Sequence, residues 1–85
     1  MDTEKLDIEI KISLMKIFQS ISENIVKSGP PTKEDSHYES GTVWYDHKNG
    51  RVYYFFIIED SSGRIGQWVY NENGAAKVFF SISYQ

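Results

Sequence analysis

Two histidines, a glycine-bearing turn and a scatter of carboxylates are the side chains of this 85-residue chain that could do chemistry. His37 lies among Glu34, Asp35 and Glu39, and His47 follows Asp46; an imidazole held by a carboxylate could serve as a general base near neutral pH. Consecutive residues of a strand project to opposite faces, however, so adjacency alone does not make Asp46 and His47 a dyad. No nucleophile, base and orienting group fall together, so no catalytic residue is assigned and the chain is expected not to be an enzyme. Ser62-Gly-Arg-Ile-Gly66 has the glycines of a phosphate loop but neither its lysine nor the helix that must follow, and it reads as a hairpin turn. Glu59, Asp60 and Glu72 fit no calcium-loop spacing, so neither a metal nor any other cofactor is expected. There is no cysteine, hence no thiol nucleophile, thiolate zinc site or disulfide, and the cytoplasm is the expected compartment.

The elements that must position these residues divide the chain into one domain, 1–85, with three parts. Leu6, Ile10, Leu14, Ile17, Ile21 and Ile25 recur at spacings of four and three, with Phe18 widening the stripe, which predicts an amphipathic helix over about residues 7–26. The stretch Leu6–Leu14 also alternates strictly, as a strand would; the length of the interval and its Glu, Lys and Leu content favour helix. Gly29, Pro30 and Pro31 stop it. Residues 28–40 lack an apolar period and read as an exposed acidic loop. Residues 42–84 then predict a four-stranded antiparallel meander, with strands near 42–47, 51–59, 64–71 and 76–84, reversing at Asn49-Gly50, Ser62-Gly63 and Asn73-Gly74. The expected fold is α+β, the helix packed across the sheet.

The second strand holds the most telling segment: Val52-Tyr-Tyr-Phe-Phe-Ile-Ile58 is apolar on both faces. Such a strand must be covered twice or offer one face to a partner. Thirteen aromatics in so short a chain point the same way, and the expectation is an exposed aromatic sheet face, extended by Trp68 and Tyr70. Which alternate set faces outward stays open. In the last strand, Val78, Phe80, Ile82 and Tyr84 are expected on one face and Lys77, Phe79, Ser81 and Ser83 on the other.

Charge narrows the partner. The formal net charge is −3, and the excess of acid sits entirely in residues 1–40. Phosphate backbones repel such a chain, and Lys48, Arg51, Arg64 and Lys77 are too scattered to form a basic patch, so nucleic acid is not expected. The acidic N-terminus lacks a signal-peptide pattern and no apolar run reaches membrane-spanning length, so no membrane partner is expected either. A basic protein surface fits best.

Leu14-Met-Lys-Ile-Phe-Gln-Ser-Ile-Ser-Glu-Asn-Ile25, followed by Gly50-Arg-Val-Tyr-Tyr-Phe-Phe56 and Lys77-Val-Phe-Phe-Ser-Ile-Ser83, resembles the YezG-like antitoxins, immunity proteins encoded beside secreted bacterial nuclease toxins. The likeness spans about two thirds of the chain. Members usually run longer and carry a further helix where Asn71-Glu-Asn-Gly74 is only a turn. The resemblance implies a bacterial immunity protein that neutralises a cognate nuclease toxin. On the aromatic and charge arguments, Glu34, Asp35, Glu39, Asp46, Glu59 and Asp60 would face a basic toxin domain, and Tyr38, Trp44, Tyr53, Phe55, Trp68 and Tyr70 would supply buried anchors. The alternative is a structural or adaptor domain that forms a homodimer through the aromatic face or an unpaired edge strand.

Overall fold

Residues Ile8–Ile21 form a helix, α1, which settles the ambiguous alternation in favour of the 3.6-residue period wherever the chain is described. The computed structural model describes residues 8–21 and 24–84, so Asp7, Ser22 and Glu23 of the expected helix lie outside it, as does Leu6 of its apolar stripe. After α1 come β1 (Asn24–Lys27), β2 (Val43–Asp46), β3 (Arg51–Asp60), β4 (Gly63–Glu72) and β5 (Ala75–Tyr84). They make one mixed five-stranded sheet in sequence order, β1 parallel to β2 and every other pair antiparallel. The architecture is α+β with one N-terminal helix.

Three expectations are corrected. Residues 24–26 are not helical: Asn24–Lys27 is a fifth strand, and Ile25 pairs with Trp44 and packs against the aromatic cluster around it. Two β-branched neighbours, Ile25 and Val26, suit that pleated setting better than a last helical turn. The helix also turns a different flank inward. Met15 and Lys11 are buried while Ile10 and Ile17 are about half exposed, at 51% and 49%. Met15 fills the irregular space above Val43, Tyr54, Phe56 and Val69, and Phe18 tilts against Phe56 at 5.7 Å. Finally, β5 does not alternate throughout. A register shift opposite Trp68 and Val69 pairs Trp68 with Phe80 but Val69 with Val78, leaving Phe79 as the extra residue. Val78 therefore joins the helix side, and Phe79 leans with Phe80 to the other.

The hairpin turns form where expected. Asn73 and Gly74 both take positive φ, 54° and 83°, as the tight link from β4 to β5 requires. Among the described residues no helix is long and apolar enough to cross a membrane.

Candidate functional site

The greasy strand β3 is covered on both faces. Tyr54 and Phe56 meet α1, whereas Tyr53 and Phe55 join Trp44 and Trp68 in a second cluster on the opposite face. What covers this second face is the acidic loop. Parallel strands need a crossover connection, commonly helical, and here residues 28–42 make it as irregular chain laid over the rings.

Side chains of the sheet fasten the loop. Trp44 Nε1 donates to the Gly29 carbonyl at 3.0 Å and Trp68 Nε1 to the Asp35 carbonyl at 2.6 Å, while the Tyr84 hydroxyl donates to the Ser36 carbonyl. The Tyr38 ring meets Trp44 and Trp68 edge-on at 6.4 and 6.0 Å, forming the lid of the cluster. Within the loop, Asp35 Oδ2 accepts from Thr32 N at 2.8 Å and Thr32 Oγ1 at 3.0 Å, closing a turn. At its far end the Gly41 amide donates to the Phe55 carbonyl at 2.7 Å and the Phe55 amide to the Thr42 carbonyl at 2.9 Å. The segment is thus tied to β2, β3, β4, β5 and its own neighbours along its length.

The sequence-predicted residues separate accordingly. Trp44, Tyr53, Phe55 and Trp68 are buried, Phe55 and Trp68 at 0% exposure, so the expected exposed aromatic face is corrected: the loop occupies it. Two tryptophan N–H groups facing one sheet side each required an acceptor, and the loop carbonyls supply it. Tyr38 is half-buried, and burial, followed by Asp35 nearby, holds its phenol above the ordinary value. Glu34 and Glu39 are exposed on the loop, with Asp35 half-buried between them. Asp46 is buried; its carboxylate serves the turn at the end of β2, accepting from Gly29, Lys48 and Asn49, rather than the surface. Glu59 is exposed, 3.5 Å from Arg64 across the β3–β4 pair. The side chain of Asp60 lies outside the described residues.

The histidines do not converge. His37 stacks on Tyr38 at 4.5 Å with Nδ1 3.0 Å from the Glu34 carbonyl, and His47 is exposed at the β2 end. An open depression of about 370 Å³ is lined by Asn49, Gly50, Arg51, Val52, Tyr54 and Asn71, without either histidine. Among the described residues no three His, Cys, Asp or Glu side chains group as metal ligands would.

On this side the loop leaves a rim uncovered, made by the expected anchor Tyr70 together with Arg51 and Phe79, which the sequence did not place there. Arg51 stands 4.3 Å over the Tyr70 ring, and Tyr70, Tyr53 and Phe79 contact one another. The bulge that turns Phe79 to this side has no signature in the sequence. Comparison of the chain with protein-family models, curated proteins and solved structures finds no match.

Proposed function

We propose that this chain is an immunity-type binding protein, not an enzyme, which neutralises a cognate nuclease toxin by presenting the exposed carboxylates of the acidic loop to the toxin's basic surface. One observation carries the reading: an acidic segment that would otherwise be free is fixed on the sheet by Trp44, Trp68 and Tyr84 through its own carbonyls. Main-chain anchoring leaves Glu34 and Glu39 facing solvent. A binding loop ordered in advance loses little conformational entropy on association, which favours affinity. Carboxylates set on such a loop steer a basic partner and accept paired hydrogen bonds from arginine or lysine. With Trp44, Tyr53, Phe55 and Trp68 buried, the contact surface of this reading contracts to Glu34, Asp35, Glu39 and the outer edge of Tyr38.

The test is co-expression of the tagged chain with the reading frames beside its own gene, followed by capture and identification by mass. A stoichiometric basic nuclease, retained by the unaltered chain and lost from Glu34→Lys/Glu39→Lys with its melting midpoint preserved, supports the proposal. A nuclease held equally well by the charge-reversed chain moves the contact away from the loop, and recovery of the chain without any such neighbour removes the immunity reading.

A further inference from the structure

We infer that this chain forms a symmetric dimer in which β5 pairs antiparallel with β5 of a second copy, joining two sheets and setting each α1 beside its counterpart. This goes beyond the loop's role and rests on different residues.

Among the described residues β5 has one sheet neighbour, β4, although it is ten residues long. At about 3.4 Å per residue, its outer edge runs some 34 Å, nearly the 37 Å longest extent of the molecule. The two edges of the sheet differ in kind: β1 has four residues, the short edge that resists strand addition, whereas β5 has full length and no proline. Its sequence, Ala-Ala-Lys-Val-Phe-Phe-Ser-Ile-Ser-Tyr, contains a single charge, Lys77. Antiparallel self-pairing would therefore oppose like charges only in a register centred on that lysine. The bulge at Phe79 leaves Phe80–Tyr84 as the regular run, so the pairing is centred there, well clear of Lys77.

Apolar surface flanks this edge on both sides. Val78 is 47% exposed on the helix side and Phe79 39% on the loop side. The helix adds more. The small residues Ala76, Ser81 and Ser83 let α1 approach β5 more closely than any other strand. Gln19 accepts the Tyr54 hydroxyl at 2.8 Å, which turns that flank of α1 toward β3. Ile10 lies nine residues earlier, about 180° around an ideal helix. Ile10, with Ile17 on the same flank, thus leans toward the β5 side.

A twofold axis that pairs two strand edges antiparallel stands perpendicular to the sheet and keeps like faces on the same side. The two isoleucine flanks then approach each other above the joined edge. One strand is narrow, and the helix flank widens the contact toward the roughly 500 Å² per copy that a stable interface requires. That is a small share of the 5521 Å² the chain exposes.

The test combines light-scattering mass with amide exchange, from about 1 μM to about 1 mM chain. The expected result is a rise from 9.9 kDa toward twice that mass, with β5 amides gaining protection as concentration rises. Ile10→Lys alters an exposed side chain, so it should keep the dilute-solution melting midpoint while weakening the dimer at least about tenfold. A single monomeric species throughout overturns the inference. So does a dimer that this substitution leaves intact, or one whose β5 amides exchange independently of concentration.

Discussion

Trp68 Nε1 donates a 2.6 Å hydrogen bond to the Asp35 carbonyl, joining the centre of β4 to a loop residue 33 positions earlier. The indole is fully buried, so this one side chain both fills the second cluster and holds the acidic loop in place. Trp68→Phe keeps a ring but removes the N–H, leaving a part-buried carbonyl short of its donor. The expected cost is about 1–3 kcal/mol in chemical denaturation, with faster amide exchange across residues 33–38. Trp68→Ala should cost about 3–5 kcal/mol, as other large core truncations do. A Trp68→Phe chain with unchanged midpoint and unchanged loop exchange would show that the hydrogen bond is not what fixes the loop.

Asp46 ties a second junction. Its Oδ1 accepts from the amides of Gly29, Lys48 and Asn49 at 2.8, 3.0 and 3.2 Å, and its Oδ2 from Asn49 Nδ2 at 2.7 Å. Burial alone would push this carboxyl up, but the four donors outweigh it and hold the pKa below the ordinary 3.8. A carboxyl depressed in the folded state contributes stability that is complete above the unfolded value and is lost as pH falls through the folded one. The native melting midpoint should therefore drop on acidification below about pH 4. Asp46→Asn should melt lower at neutral pH and show a flatter acid limb, and parallel acid limbs for the two chains would contradict the assignment.

The sequence made legible what depends on local pattern. The reversals at Asn49-Gly50, Ser62-Gly63 and Asn73-Gly74 placed the four strands of the meander, because a residue that tolerates positive φ leaves few alternatives. The apolar run of β3 left two outcomes, a second cover or a face offered to a partner; the partner face was the expectation, and the structure covers both faces instead. What covers the second face was not legible, because the cover is a polar segment held mainly through its carbonyls, and a carbonyl leaves no mark in the residue types. Tyr38 was the one visible hint, a large ring inside a charged stretch. β1 was hidden for another reason: Ile21 and Ile25 continue a helical spacing, and only the pairing of Ile25 with Trp44, made by tertiary contact, overrides it. Of the expected site, Glu34, Glu39 and Glu59 lie at the surface and Trp44, Tyr53, Phe55 and Trp68 inside, a division that no alternation within a doubly buried strand could disclose.

Lys11 is buried under α1, where its Nζ reaches Gln67 Oε1 at 3.4 Å, a long hydrogen bond to a neutral acceptor. Burial lowers its pKa from 10.5. The unfolded chain then holds this proton more tightly than the folded one, so stability should rise with pH between the folded value and 10.5. Lys11→Met keeps the covering stem and removes the buried charge; it should stabilise the chain by about 1 kcal/mol at neutral pH. It should also abolish the alkaline rise. A destabilised Lys11→Met chain would mean that the ammonium makes a favourable contact in the fold.

Gly66 sits in tight packing on the loop side. A Cβ built there would stand 2.6 Å from Phe55 Cζ and 2.7 Å from the Tyr84 hydroxyl oxygen, closer than real contacts allow. Gly66→Ala should therefore cost about 1–3 kcal/mol by overpacking. Phe55 is fully buried and has nowhere to move, so the displacement falls on Tyr84, whose hydroxyl holds the Ser36 carbonyl. The substitution should loosen the acidic loop as well as the sheet. In a double-mutant cycle with Tyr84→Phe, which removes the hydroxyl, the combined loss should be less than the sum of the single losses by about 0.5 kcal/mol or more. Strict additivity would place the strain on Phe55 alone and uncouple the glycine from the loop.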